Sequence, residues 1–562
     1  MRLLVSNFLL ILFFVSCGAG GFKERQLLTQ YFQKKDYKEA HKILNESSTY
    51  KEEKNRLLFL MEKGMIFHAQ EQYLESIDTF LQASDLAGQL YTVRISKKVA
   101  ALLANDTYDV YYGEAYERSL IHMYQTLNYY LLAKKGEVLE RIRADQKVEP
   151  ARKLDNREIA QFMSRSRSEV LAWNALIETF QNERMGKSVF KNDLMAKLLG
   201  GFIHENTNTI NDLQTAYLLY RDARDILLKN YGGYQSFNRN FKKFKEDFEK
   251  FPTLGMDKVR KDYISPTPYF NELNEYLEYK ILSLSKKIRP GDYSQLVQIY
   301  ATKQTVLDRI EQERHKPNVT ILFHHSIIPP KVPDKYYFGL NPDNFQGGSQ
   351  KVLAAVGQVA MTHFMINVLK LNRNNSRSVG SAYATAQMAT VTSQYASFDF
   401  ELPKIQNRPL TDNLCLVVKD EHDIEVLKRK LVVVNPIGDI AEEAVAEKSA
   451  WRYTRTGSRL ALKYAAVIAS AYGAYQAAGG EKGTFSGIAA MASFLAGSRM
   501  IKSSEVADTR YWSLLPEDLR MEDVYLPVGN FEVFIIGDQT KYSLGKITIS
   551  DPHSKHLLSY RN

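Results

Sequence analysis

Cysteine is the scarcest reactive residue in this chain, with two in 562 residues, at Cys17 and Cys415. Cys17 follows an unbroken apolar run, Phe8 to Val15, with Ser16 directly before it and Arg2 as a minimal positive lead. That run is too short to span a bilayer and has the length of a signal-peptide apolar core. Cys415 lies in Leu414-Cys415-Leu416-Val417-Val418, mid-strand by its pattern, with no local His or Gly-rich turn. It reads as a small packing residue rather than a nucleophile. Two cysteines exclude a disulfide framework. His324 and His325 are adjacent in an expected strand, so their side chains point to opposite faces and cannot share one metal. The chain has no HExxH, no CxxC pair, no phosphate-binding Gly-rich loop and no EF-hand loop. Ser376 to Gly380 lacks the first Gly of a nucleophile elbow. Acidic residues are plentiful, but no pair is forced together locally. No catalytic residue, metal ligand or cofactor is assigned on this reading, and an enzyme is not expected.

Phe14-Val15-Ser16-Cys17 resembles the bacterial lipobox, with Phe14 where that signal usually has Leu. The resemblance implies that the Cys17 thiol is diacylglycerylated, the signal is cut before it, and the new amino terminus is acylated, with palmitate as the expected chain. Each buried methylene contributes about 0.8 kcal/mol, so several chains together hold a protein to a bilayer. Gly18 stands where an inner-membrane retention signal resembles Asp, which implies outer-membrane sorting in a host with two membranes. Residues 1–16 are then the signal and 17–21 a short tether.

The rest of the chain must be built to present something from that anchor. Residues 22–315 read as helical, because apolar residues recur at three and four. Asp36-Tyr37-x-x-Ala40-x-x-x-Leu44-x-x-Ser47 is echoed by Gln72-Tyr73-x-x-Ser76-x-x-x-Phe80-x-x-Ala83, the tyrosines 36 residues apart. A third version is Asp212-Leu213-x-x-Ala216-x-x-x-Tyr220-x-x-Ala223. Small residues at these points let helices approach, and the large residue four on fills the gap. The series resembles the tetratricopeptide repeat, best through Leu60, Gly64, Phe67, Tyr73, Ser76, Phe80 and Ala83, with Lys63 departing from it. By analogy with that repeat, a concave partner-binding face would carry Leu58, Met61, Met65 and His68, with Arg25, Thr29 and Phe32 from the preceding helix. The same residues would also serve as core between repeats. Phe241, Phe244, Phe248 and Phe251 form one apolar helix stripe with a charged face.

After Lys316-Pro317-Asn318 the texture changes to strands. They are expected at Val319 to Phe323, Ser397 to Leu402, Leu414 to Val418, Leu431 to Val434, Val524 to Val528, Phe531 to Ile536 and Leu544 to Ile549, with prolines 329, 330 and 333 marking a loop or edge. A helical insertion splits them. Tyr464 to Gly480 holds 17 uncharged residues, 11 of them Ala, Gly or Ser, and Gly483 to Ser498 holds 16 more, 10 of them small. This suits a tight soluble helix pair or a hairpin dipping into lipid. Asp439, Arg459, Lys463, Asp508, Arg510 and Trp512 flank it and are expected to form a polar cluster fixing the hairpin on the strand domain. The fold class is therefore α+β multidomain. A tetratricopeptide-like helical domain (22–315) precedes a β-sandwich-like domain (316–440 and 504–562), interrupted by the hairpin (441–503).

Composition bounds the function. With 44% hydrophobic and 25% charged residues, the chain is neither collagenous, fully disordered nor polytopic in a membrane. A formal charge of +10 is modest for this length and suits an anionic membrane surface or wall polymer without indicating nucleic acid. Patches along most of the chain, among them the lipobox, Tyr112-Gly113-Glu114-x-Tyr116-Glu117-Arg118, Val319 to Lys331, and Asp508-Thr509-Arg510-x-Trp512-x-x-Leu515-Pro516, resemble an uncharacterised family of bacterial lipoproteins with amino-terminal tetratricopeptide-like helices. Ser326 stands where that family usually has Gly. The resemblance implies no catalytic residue. The expected function is a membrane-anchored scaffold for an envelope protein in envelope assembly or cell-wall synthesis. Its partners would be the bilayer, through Cys17, and that protein, with no nucleic acid. The alternatives are a carbohydrate-binding or hydrolytic strand domain and a membrane-inserting hairpin.

Overall fold

The computed structural model describes residues 20–96, 109–142, 147–182, 192–207, 209–243, 265–313, 315–338, 398–447, 506–538 and 540–562, with scattered positions from 456 to 501. Cys17, the lipobox, Arg459 and the phenylalanine stripe beyond Phe241 lie outside them. The fold mixes helix and sheet, with a helical amino-terminal region and carboxy-terminal strands.

Two helical hairpins open the described chain: α1 (Gly20–Gln33) with α2 (Tyr37–Glu46), and α3 (Arg56–Ala69) with α4 (Tyr73–Ser96). The 36-residue spacing of Tyr37 and Tyr73 therefore falls at the start of the second helix in each pair. Asp36 caps α2 by accepting from the Glu39 N–H at 3.2 Å. Gly64 is where α3 and α4 touch. A Cβ built there would lie 2.7 Å from the Phe80 ring, and the Ser76 hydroxyl donates to the Gly64 carbonyl at 2.8 Å. Helix α5 (Ala115–Lys135) starts at a reciprocal Glu114/Glu117 capping box and ends at Gly136 with φ 67°. Helix α6 (Asn156–Asn182) lies against it. A further hairpin joins α7 (Leu194–Thr207) to α8 (Ile210–Asn230), and there a Cβ built on Gly201 would lie 2.7 Å from the Tyr220 ring, as one on Gly64 would from Phe80. Helices α9 (Pro268–Ile288), α10 (Tyr293–Tyr300) and α11 (Gln304–Gln312) complete the layer.

The strands are β1 (Val319–His325), β2 (Lys331–Phe338), β3 (Phe398–Ile405), β4 (Cys415–Asp420), β5 (Glu425–Lys430), β6 (Val432–Asn435), β7 (Asp518–Val524), β8 (Gly529–Ile536), β9 (Lys541–Ile549) and β10 (His556–Arg561). One sheet runs β6-β7-β1-β10, another β9-β8-β4-β5, and β2 pairs with β3. Strand β1 is central, antiparallel to β7 with His325 opposite Asp518, and parallel to β10 with Val319 opposite His556. All seven of its residues are buried because both its faces are covered. Leu322, Leu519 and Met521 pack into one large core with the helices. Val319, Ile321, Phe323 and Val524 face Leu416, Val418, Val533 and Ile535 of the second sheet.

Several expected strands occur, while others were unread. Of the loop or edge expected around Pro333 the structure has the edge: strand β2 lies in a two-stranded sheet, paired residue by residue with β3. Strand β7 is absent from the sequence reading because Asp518-Leu-Arg-Met-Glu-Asp carries four charges, yet every residue of it is buried. The expected Val524 to Val528 strand is instead the end of β7 followed by a loop. Cys415 is half-buried at the start of β4. Helix α12 (Ile437–Glu447) precedes the insertion, whose described positions in 456–477 and 489–501 are helical. Its arms pack through small residues: a Cβ on Gly497 would lie 2.7 Å from Val467, and the Ser470 and Ser493 hydroxyls are 3.3 Å apart. Among the described residues no helix is long and apolar enough to cross a membrane.

Candidate functional site

The residues expected on a concave partner-binding face do line the inner side of α1 and α3, but they are not exposed. Leu58, Met61 and Met65 are fully buried, and Arg25, Phe32 and His68 nearly so, with Thr29 half-buried. The reason is an occupant. The chain's own irregular segment 507–517, which leads into β7, lies along this side of the helices. The expectation of a free groove is corrected accordingly.

Two buried carboxylates hold that segment by its backbone. Glu62 on α3 accepts the Ser513 N–H at 2.8 Å and its hydroxyl at 2.7 Å, and the Leu514 N–H at 3.1 Å. Glu117 on α5 accepts the Trp512 N–H at 2.8 Å, the Tyr111 hydroxyl at 2.5 Å and the Glu114 N–H at 2.7 Å. Burial raises both carboxyls; Glu62 reaches about 7 despite the opposing hydrogen bonds from Ser513 and Leu514. Trp512 sits fully buried between Phe80 and Tyr124, its ring centroid 5.6 Å and 5.9 Å from theirs. Arg25 donates to the Thr509 hydroxyl at 2.9 Å and lies over the Tyr511 ring.

Strand β10 closes the remaining side. Arg561 lies over the Phe32 ring and brings Nη1 to 3.9 Å from the Met65 sulfur. His68 and His324 stand with ring centroids 5.8 Å apart, both against Tyr124. Asn128 donates to Ser76, whose hydroxyl is committed to the Gly64 carbonyl, so Asn128 Oδ1 receives the His68 Nδ1 proton at 2.6 Å. Burial pushes His68 down to about 4 and holds His324 well below its ordinary value, so both rings are neutral at pH 7.

Of the six residues expected to form one cluster around the hairpin, Arg459 lies outside the described residues, and Asp439, Asp508, Arg510 and Trp512 fall into two separate attachments. Asp439 on α12 accepts the Ser236 N–H and Asn407 Nδ2, both at 2.7 Å. Asp508, Arg510 and Trp512 instead meet the amino-terminal helices: Arg510 pairs with Asp508 at 2.7 Å and donates to Asn55 Oδ1 and the Asp109 carbonyl. Burial alone would raise Asp508, but the Arg510 guanidinium overrides it and holds the carboxyl low. Lys463 is half-buried on the insertion. Asp508 and Arg510 tie the 507–517 segment to the amino-terminal helical region, while Asp439 ties α12 to the segments that hold Ser236 and Asn407.

Glu62 and Ser513 are not singled out by the sequence, and Glu117 enters there only as part of the Tyr112 to Arg118 patch. Glu62 carries a signal, since it is an acid inside the otherwise apolar run Leu57 to Met61 and Met65-Ile66. His324 and His325 do face opposite ways, His324 toward Tyr124 and His325 toward Asp518. Comparison of the chain with protein-family models, with curated proteins and with solved structures finds no match.

Proposed function

We propose that this chain is a lipid-anchored bacterial envelope protein, attached through Cys17, that acts as a protein–protein scaffold built on tetratricopeptide-like helices and a β-sandwich-like domain. The observation carrying this reading is the grip of Glu62 and Glu117 on three consecutive backbone N–H groups, those of Trp512, Ser513 and Leu514. Side-chain carboxylates that bind main-chain donors hold a segment by its backbone, with little regard to its side chains. Here the helices apply that mode to their own chain. The closed face makes helices and strands one body, so an envelope partner meets the outer surface of that body.

The sequence pattern of Phe8 to Cys17 supports the anchor. Labelled palmitate should enter the wild type and not Cys17→Ser, and the variant should leave the membrane fraction. Crosslinking in intact envelopes should then retrieve the same envelope protein repeatedly with the wild type. Soluble wild type would sink the anchor, and no co-purifying protein across independent envelopes would sink the scaffold.

A further inference from the structure

Beyond the scaffold, a second site lies where α11, β5 and the end of β7 meet, built from none of the residues that hold the 507–517 segment. Gln312 closes α11, Leu427 and Arg429 share one face of β5, Val524 ends β7 and Tyr525 follows it. Together with Glu313, His315 and Asp523 they line one cavity of about 290 Å³. Small-molecule sites run from about 300 to 1,000 Å³, so this cavity suits a single ring rather than a chain.

The acids at this cavity already have cations. Lys280 Nζ lies 2.9 Å from Asp523, and Arg309 Nε donates to Glu313 at 3.1 Å. Glu522, the residue before Asp523 on β7, is taken by Arg309 Nη2 at 2.6 Å. Arg429 is half-buried and attracts Glu522, yet its side chain makes no hydrogen bond or ion pair among the described residues. A guanidinium that lines a cavity without a carboxylate of its own presents its planar fork of donors to one brought from outside.

The neutral lining selects the body that carries this carboxylate. Leu427 and Val524 supply apolar surface, and His315 and Tyr525 supply an aromatic wall, their ring centroids 4.5 Å apart and their planes 21° from parallel. The Tyr525 hydroxyl, the His315 ring nitrogens and the Gln312 amide make no hydrogen bond among the described residues. Apolar and ring surface beside several uncommitted hydrogen-bonding groups matches a saccharide ring, which has C–H faces and hydroxyl edges. The carboxylates of Glu313 and Asp523 repel a second negative charge, which favours a monoanion over a phosphate. We propose that this cavity binds one ring of an acidic saccharide, with its carboxylate on Arg429 and its ring against His315 and Tyr525. The competing description is a water-filled recess with no ligand.

The test uses the full chain, titrated with D-glucuronate, D-glucose and glucose 6-phosphate and followed by ligand-observed NMR. Glucuronate should bind, and glucose should bind about tenfold or more weakly, for want of the charge-assisted hydrogen bonds to Arg429. Arg429→Gln should bring glucuronate down to the level of glucose and leave glucose unchanged. His315→Ala should weaken both sugars alike, because it removes ring contact and no charge pairing. Neither substitution breaks a side-chain hydrogen bond or ion pair among the described residues, which keeps both variants clear of folding effects. No glucuronate binding at millimolar concentration would establish the empty recess. Glucuronate binding undiminished in Arg429→Gln would place the site elsewhere. Glucose 6-phosphate binding more tightly than glucuronate would make the cavity a phosphate site. Each of these three results overturns the proposal.

Discussion

A single oxygen of Glu62 accepts both the backbone N–H and the hydroxyl of Ser513, a residue 451 positions later in the chain. The contact joins the second helical hairpin to the segment entering β7, and the other Glu62 oxygen holds Leu514. Glu62→Ala leaves three buried donors without their acceptor. Each uncompensated buried polar group costs about 1–3 kcal/mol, so chemical denaturation should show a loss of about 3 kcal/mol or more. A loss under about 1 kcal/mol would mean that the segment is held by apolar burial alone.

The close approaches at Gly64 and Gly201 predict a second effect. An added methyl at either position meets an aromatic ring, Phe80 or Tyr220, at 2.7 Å. Both rings are fully buried and have no room to retreat. Gly64→Ala and Gly201→Ala should each destabilise by about 1–3 kcal/mol through overpacking. Gly88 has open space at its Cβ and is the control. Gly88→Ala should be neutral or gain about 1 kcal/mol, since alanine favours helix. Equal melting shifts for all three would contradict this account of the hairpins.

The repeated hairpins were legible because their signal is local. Small residues and the aromatic four on sit at fixed offsets, and Gly64 with Phe80 realises that logic directly. Strand β7 was not legible, because most of its charges are satisfied from far away: Asp523 by Lys280 and Thr320, Glu522 by Arg309, and Asp518 by His325 beside its near neighbour Arg520. A charged run reads as solvent-facing unless its partners are known. The same blindness made Met61 and Met65 look like a free apolar face, since nothing near them in the chain announces the 507–517 segment.

Lys280 is the cation at the junction of helices and sheet. It lies 2.6 Å from Glu205 and 2.9 Å from Asp523, with Tyr220 and Tyr276 donating to the same two acids. Lys280→Met would leave Asp523 without the cation that contacts it, and Glu205 with only Lys316 and Lys555, at 3.9 and 4.0 Å. Removing one partner of a buried ion pair costs about 3–5 kcal/mol, and urea unfolding at pH 7 should show that loss. Burial would raise Asp523, yet Lys280 overrides it and holds the carboxyl far below its ordinary value. A lowered acid stabilises above its unfolded pKa and loses that contribution as pH falls. The gap between wild type and variant should therefore narrow below about pH 4. A gap that stays constant into acid would remove Asp523 from the explanation.

Glu62 and His68 should give pH dependences of opposite sign within one protein. Burial raises Glu62 to about 7, so between its unfolded value of 4.5 and 7 the folded state holds the extra proton. Its contribution is complete below about 4.5 and is lost as pH rises through 7. Burial lowers His68 to about 4, so between 4 and its unfolded 6.5 the unfolded state holds the extra proton. Its contribution is complete above about 6.5 and is lost as pH falls through 4. Each shift spans about 2.5 pH units, which corresponds to roughly 3 kcal/mol. The two nearly cancel in the wild type, so the wild-type curve alone would conceal both. Unfolding free energies measured from pH 4 to 8 for wild type, Glu62→Gln and His68→Gln separate them. The wild-type-minus-Glu62→Gln difference should fall by about 3 kcal/mol with rising pH, and the wild-type-minus-His68→Gln difference should rise by a similar amount. A difference that stays flat with pH for either variant would show that its side chain is solvated, and with it that the helix-held segment does not close over this face.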